Sequence, residues 1–180
     1  MVQRLTRTEF RAWAATQKPR FERLAGEPIA MAPERAIHVR LKSRVWATLD
    51  RAIRAAGLDC EALADGITVE VDDDTDYEPD AIVNCGPPIH ADSFVASNPV
   101  VVVEVLSPST QSIDTADKLV DYFRVPSIQH YLIVRALRRE IIHHARSADG
   151  ISTRIVNIGT ILLDPPGIAL DINEVYTGSI

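Results

Sequence analysis

Val100-Val101-Val102-Val103-Glu104-Val105-Leu106 restricts the fold of this chain more than any other stretch. It is apolar on both faces of an extended segment, the pattern of a strand buried in the middle of a sheet. Glu104 interrupts it. An ionised carboxylate held out of water without a partner is strongly unfavourable, so the sequence demands something to neutralise it. Two arrangements satisfy the demand. Glu104 could pair with a cation such as Lys118, or it could share a metal ion with a second carboxylate. Asp80 is the best second carboxylate, because it follows Pro79 at the start of the apolar run Ala81–Cys85, where a neighbouring strand would present it at a sheet end. Adjacent strand ends lie about 5 Å apart, close enough for two carboxylates to bind one ion.

The rest of the chain supplies elements to surround that strand. Thr6-Arg7-Thr8-Glu9 matches a capping box, with Phe10, Trp13 and Ala14 at helical spacing, and predicts a helix over about residues 7–16. Arg20–Leu24 and Pro28–Met31 flank Ala25-Gly26-Glu27 and read as a hairpin. Pro33 then opens a long helix whose apolar stripe is Ile37, Leu41, Val45, Trp46, Leu49 and Ile53, stopping at Gly57. Its other side carries Arg35, Arg40, Lys42, Arg44, Arg51 and Arg54 and reads as a solvated face in preference to a phosphate-binding one. Ile67–Val71 alternates and, with Ala81–Cys85, looks like a second hairpin across the acidic turn Asp72–Glu78. A helix is expected from Ile113 to Arg124, ended by Pro126, and strands near residues 129–135, 139–145 and 151–157. These elements predict an α/β or α+β class, a central mixed sheet flanked by helices, as one domain over residues 1–180.

Charge and composition exclude several classes. The net charge of −6 argues against a protein that coats nucleic acid, but it is unevenly spread. Residues 1–60 hold twelve Lys and Arg against six Asp and Glu, whereas residues 61–120 hold one against thirteen. Carboxylates that converge suit a hard divalent cation, so a metal-dependent phosphodiesterase survives this test. No apolar run reaches the ~18 residues of a membrane span, and no apolar core follows the charged N-terminus, so the expectation is a cytoplasmic chain. Cys60 and Cys85 form no CxxC pair and read as core thiols. Zinc-peptidase, P-loop, dinucleotide and serine-hydrolase motifs do not occur. His143 and His144, adjacent on a predicted strand, point to opposite faces and make a poor metal pair. His38, beside the apolar stripe, reads as structural. Only Lys18, Lys42 and Lys118 are lysines among nineteen basic residues. Lys118 stands alone after position 42, as an ammonium able to approach a nucleophilic water or as a surface partner of Asp114.

Glu78-Pro79-Asp80-Ala81-Ile82-Val83, then Val101-Val102-Val103-Glu104-Val105-Leu106-Ser107-Pro108-Ser109-Thr110, then Asp114, Lys118, Tyr122 and Tyr131-Leu132-Ile133-Val134 resemble the Uma-two family of restriction-endonuclease-like proteins. Phe21–Met31 is similar to the same family's leading hairpin, and the likeness spans roughly residues 6–176. It implies the PD-(D/E)XK nuclease fold, with an acidic site at one end of a mixed sheet. By that likeness Asp80 is the motif aspartate and Glu104 the motif glutamate, holding Mg²⁺ or Mn²⁺. The carbonyl of Val105 and the carboxylate of Glu22 would be further ligands. The superfamily's lysine is replaced by Leu106, and its role falls to Lys118 on the following helix. Asp114 would hold Lys118 in place, and Ser107 would serve the turn.

The implied activity is hydrolysis of DNA phosphodiester bonds. The alternative is a catalytically inactive nuclease-fold protein that binds nucleic acid or a protein partner, for which the replacement at Leu106 speaks. The superfamily often works as homodimers, and composition does not decide between one copy and two.

Overall fold

The computed structural model describes residues 4–106 and 115–178. The capping box forms as the sequence predicts. Thr6 caps α1 (Arg7–Ala14), and the Glu9 side chain accepts the Thr6 backbone N–H. The hairpin follows as β1 (Phe21–Leu24) and β2 (Glu27–Ala30), and the long helix α2 (Ala36–Ala56) ends on Gly57 in the left-handed conformation. Without a Cβ, glycine takes that φ of 64° at little cost.

Two departures follow in the acidic third. A strand that hydrophobic alternation did not reveal, β3 (Cys60–Ala64), occupies the sheet edge. The two-residue strands β4 (Val69–Glu70) and β5 (Asp76–Tyr77) pair with each other and join β1 and β2 in a separate four-stranded sheet. The run β6 (Ala81–Cys85) therefore pairs antiparallel with β3, not with residues 67–71. Cys60 and Cys85 are register partners in that pairing and are joined as a disulfide. The reading of them as core thiols is corrected.

The central strand is β7 (Pro99–Leu106), antiparallel to β6 and parallel to β8 (His130–Arg135). With β9 (Ile141–Ser147) and β10 (Gly150–Val156) they form a mixed six-stranded sheet, ordered β10-β9-β8-β7-β6-β3. The parallel crossover from β7 to β8 carries α3 (Thr115–Arg124), and the helix start expected at Ile113 lies outside the described residues. A last hairpin, β11 (Thr160–Leu163) and β12 (Ile168–Asp171), and a short helix α4 (Ile172–Tyr176) close the chain. No helix among the described residues is long and apolar enough to cross a membrane.

Alternation along β7 sorts its side chains between two cores. Val101, Val103 and Val105 pack with Leu41, Val45, Leu49 and Ile53 of α2. Val102 packs with Tyr122 and Phe123 of α3 and with Tyr131 and Ile133 of β8. One helix thus covers each face, the α+β arrangement with a central mixed sheet that the sequence predicts. Glu104 falls in the same alternation as Val102 and faces α3. A buried Arg23–Asp76 ion pair, 2.7 Å from Nε to Oδ2, ties β1 to β5 and fixes the small sheet beside the open end of β7.

On the far strands His130 Nδ1 and His143 Nε2 stand 2.9 Å apart, both rings buried. Burial, then the neighbouring His130, holds the His143 imidazolium down at about 4. The unfolded chain takes up that proton near pH 6.5, so the stability that His143 gives while neutral is lost as pH falls from about 6.5 to about 4. Urea unfolding at pH 7.5 and 4.5 checks this. The stability of the parent relative to His143→Gln should fall by about 2–3 kcal/mol between the two, and a constant difference would contradict it.

Candidate active site

Pro79 ends the pairing of β6 one residue before Asp80, while β7 runs on past it. The Asp80 N–H still reaches the Val103 carbonyl at 3.0 Å, but the next free N–H of β7, on Val105, has no strand opposite. The Asp80 side chain takes it, with Oδ2 accepting at 2.5 Å. The other oxygen, Oδ1, lies 2.6 Å from Lys42 Nζ. Lys42 comes from α2 and is also bonded to Glu34.

Glu104 is answered from the opposite face. Its Oε1 accepts from Tyr122 Oη at 2.7 Å and from Lys118 Nζ at 3.1 Å, both on α3. Lys118 also donates to Glu22 Oε1 at 3.0 Å and stands 4.8 Å from the centre of the Tyr77 ring. Glu22 is fixed in turn by the Glu78 N–H, which reaches the same oxygen at 3.0 Å. The sequence left open whether Glu104 meets a cation or a metal, and here it meets the cation. Asp114 and Ser107, the other residues considered, lie outside the described residues.

The carboxylates and ammonium groups of this network line one cavity of about 460 Å³, with Tyr77 and Tyr122 behind them. Asp80, Glu104, Lys42 and Lys118 are each at most 7% exposed. Glu22, Val105, Glu34 and His38 also line it. Burial and then the charge of Glu104 raise the Asp80 carboxyl to about 7, against the lowering pull of Lys42. Burial likewise raises Glu22 to about 7; Lys118 opposes the rise and Glu104 adds to it. Desolvation works against the Lys42 ammonium, yet Asp80 and Glu34 outweigh it and leave its pKa raised. The Tyr122 phenol is pushed well above its ordinary value by burial beside Glu104 and Glu22. Two ammonium groups thus hold three crowded carboxylates, all of them little exposed. Among the described residues no three His, Cys, Asp or Glu side chains already stand in the arrangement of a metal cage.

Of the residues singled out in the sequence, Asp80, Glu104, Lys118, Glu22 and Val105 come together. Lys42 was missed as a site residue, since its helix was read as presenting a solvated basic face. The scarcity of lysine singled out Lys118 alone, although two of the three lysines prove to be buried. His38, one turn before Lys42, was read as structural. It is 8% exposed, and neither ring nitrogen has a hydrogen-bond partner.

Comparison with known proteins bears on the family and the fold. The family model Uma2, described as "Putative restriction endonuclease", matches residues 7–173. An uncharacterized protein of Synechocystis sp. is 30% identical over 152 residues, which cover 82% of this chain and 77% of that protein. A crystal structure of "a putative nuclease belonging to DUF820" from Anabaena variabilis superposes with a TM-score of 0.76. It covers 98% of this chain and 99% of that one at 15% identity, a likeness of fold.

The pairing of Asp80 with Lys42 has a pH signature. In Lys42→Met the Asp80 carboxyl loses its counter-charge and its folded pKa moves further above the unfolded value. Stability is then intact at low pH and lost as pH rises through the folded pKa. Thermal or urea unfolding should show a loss of about 2–4 kcal/mol at pH 8, a smaller one at pH 5, and substantial recovery in Lys42→Met with Asp80→Asn. Equal losses at both pH values would contradict the pairing.

Proposed function

The chain belongs to the Uma2 family, and from that premise we propose that it is a divalent-metal-dependent nuclease hydrolysing phosphodiester bonds of DNA. The observation that carries this reading is the convergence of Asp80, Glu104 and Lys118, far apart in sequence, at one cavity beside the end of β7. The donor set suits a hard cation such as Mg²⁺ or Mn²⁺. It offers oxygen donors, carboxylates and one backbone carbonyl, and the raised carboxyls of Asp80 and Glu22 are in the crowded, desolvated state that a divalent charge relieves. Asp80 and Glu104 would hold the ion, with the Val105 carbonyl and Glu22 as further ligands. Bound there, it would polarise a phosphate oxygen and lower the pKa of a water.

The chain's own groups supply the rest. Lys118, steadied by Glu22, Glu104 and the Tyr77 ring, is positioned to donate to the attacking water or to an oxygen of the phosphate. Hydrolysis forms a bond from the water oxygen to phosphorus and breaks one ester bond. Developing negative charge on the phosphate faces two ammonium groups in a site of low exposure, where each counts for more than in water. Tyr122, whose phenol stays protonated, keeps its hydrogen bond to Glu104 and fixes that carboxylate. Lys42 guards Asp80, and its ammonium must yield an oxygen when an ion arrives.

That last point favours a second reading. Both Asp80 oxygens are already bonded, one to Lys42 and one to Val105, as they would be in a catalytically inactive relative that binds nucleic acid or a protein partner.

Cleavage of supercoiled plasmid with Mg²⁺ or Mn²⁺ separates the two. The parent should nick DNA, Asp80→Asn and Glu104→Gln should lose at least ~100-fold, and Lys118→Met about 10- to 1,000-fold. Carboxylate variants that cut as the parent does would remove the site. A parent that binds DNA in a salt-sensitive way without cutting selects the second reading. Because Asp80 must ionise to bind a cation, Mn²⁺ affinity by calorimetry should rise between pH 6 and pH 8.

A further inference from the structure

Resting on the nuclease reading, we infer that the cavity admits a single unstacked nucleotide, so that the substrate is single-stranded or locally unpaired nucleic acid and not a continuous duplex. The cavity lining is of two chemical kinds. One is the charged groups Glu22, Asp80, Glu104, Lys42 and Lys118. The other is apolar, built by Leu24 of β1, Ile29 of β2, Met31 and Pro33 of the connector to α2, and Leu106 of β7. A nucleotide has the same division, an anionic phosphate at one end and a base with two apolar faces at the other.

Depth and size make the match specific. The reactive carboxylates and ammonium groups are at most 7% exposed, so a phosphodiester has to enter the cavity to meet them. The volume of about 460 Å³ falls within the roughly 300–1,000 Å³ of pockets for one drug-sized ligand. It suits one nucleotide rather than a stacked, paired segment. In a duplex the base faces are covered by neighbours and the edges by the opposite strand, and freeing them costs a few kcal/mol per base. A single strand avoids that cost and offers its bases to an apolar wall directly.

Two further observations point the same way. His38 lines the cavity and both its ring nitrogens are buried without a hydrogen-bond partner, so a turn of the neutral ring toward the cavity would bring one donor or one acceptor to a base edge. The stretch that carries Asp80 and Glu104, residues 61–120, holds one basic residue against thirteen acidic and gives a duplex backbone no basic track there.

The test measures binding and cutting side by side. Fluorescence anisotropy in Ca²⁺ compares a labelled single-stranded 20-mer, its blunt duplex, and a duplex with a central unpaired bulge, and Mn²⁺ digestion follows on the same three. The single strand and the bulge should bind and be cut at least tenfold better than the blunt duplex. Ile29→Ser, at a position 46% exposed and so tolerant of change, should weaken single-strand binding severalfold and raise KM with kcat little altered. Met31→Ser provides the same readout at a second position of the wall. A duplex bound and cut as well as the single strand overturns the inference and leaves the nuclease reading standing. No cutting and no binding of any of the three overturns both.

Discussion

Glu104 sits in the most buried strand of the protein, and the structure around it follows from the need to keep that carboxylate partnered. Lys118 and Tyr122 of α3 supply the partners, and Lys118 draws in Glu22 from the small sheet. On the other face Asp80 caps the orphan N–H of Val105 and takes Lys42 from α2. Buried ion pairs add little net stability, yet removing one partner is severely destabilising. Their effect is therefore on geometry. They fix where α2, α3, β1 and β6 meet the end of β7, and the cavity is the space that remains between them.

Much of this order was legible because it rests on local signals. The capping box at Thr6, the Gly57 stop, the doubly apolar β7 and the helical period of α2 each act within a few residues, and each formed where expected. The acidic third was harder to read. Residues 67–71 alternate convincingly, but β4 and β5 are two residues each, and their place depends on the buried Arg23–Asp76 pair rather than on hydrophobic pattern. Cys60–Ala64 carries Glu61 and small alanines, too weak a period to announce an edge strand. β11, β12 and α4 also escaped, since each is four or five residues long and Gly159, Gly167 and two prolines interrupt any pattern there.

The site divides in a similar way. Asp80 and Glu104 could be found from the sequence because a carboxylate inside or beside an apolar run is costly and invites explanation. Lys42 could not, because one cation among five arginines on a helix has the pattern of a solvated face, and only the tertiary placement of Asp80 turns it inward. It is 7% exposed, where a solvated face was expected. The disulfide between Cys60 and Cys85 was missed for the same reason, since it depends on β3 pairing with β6 in register.

The central claim is that Asp80 and Glu104 share a divalent ion, and that Lys42 gives way to it. Anomalous diffraction from crystals grown with Mn²⁺ tests this most directly. The account predicts one strong peak about 2.0–2.6 Å from oxygens of both carboxylates, with Lys42 Nζ drawn off Asp80. Density without such a peak, with Asp80 still bonded to Lys42 at saturating Mn²⁺, would contradict it.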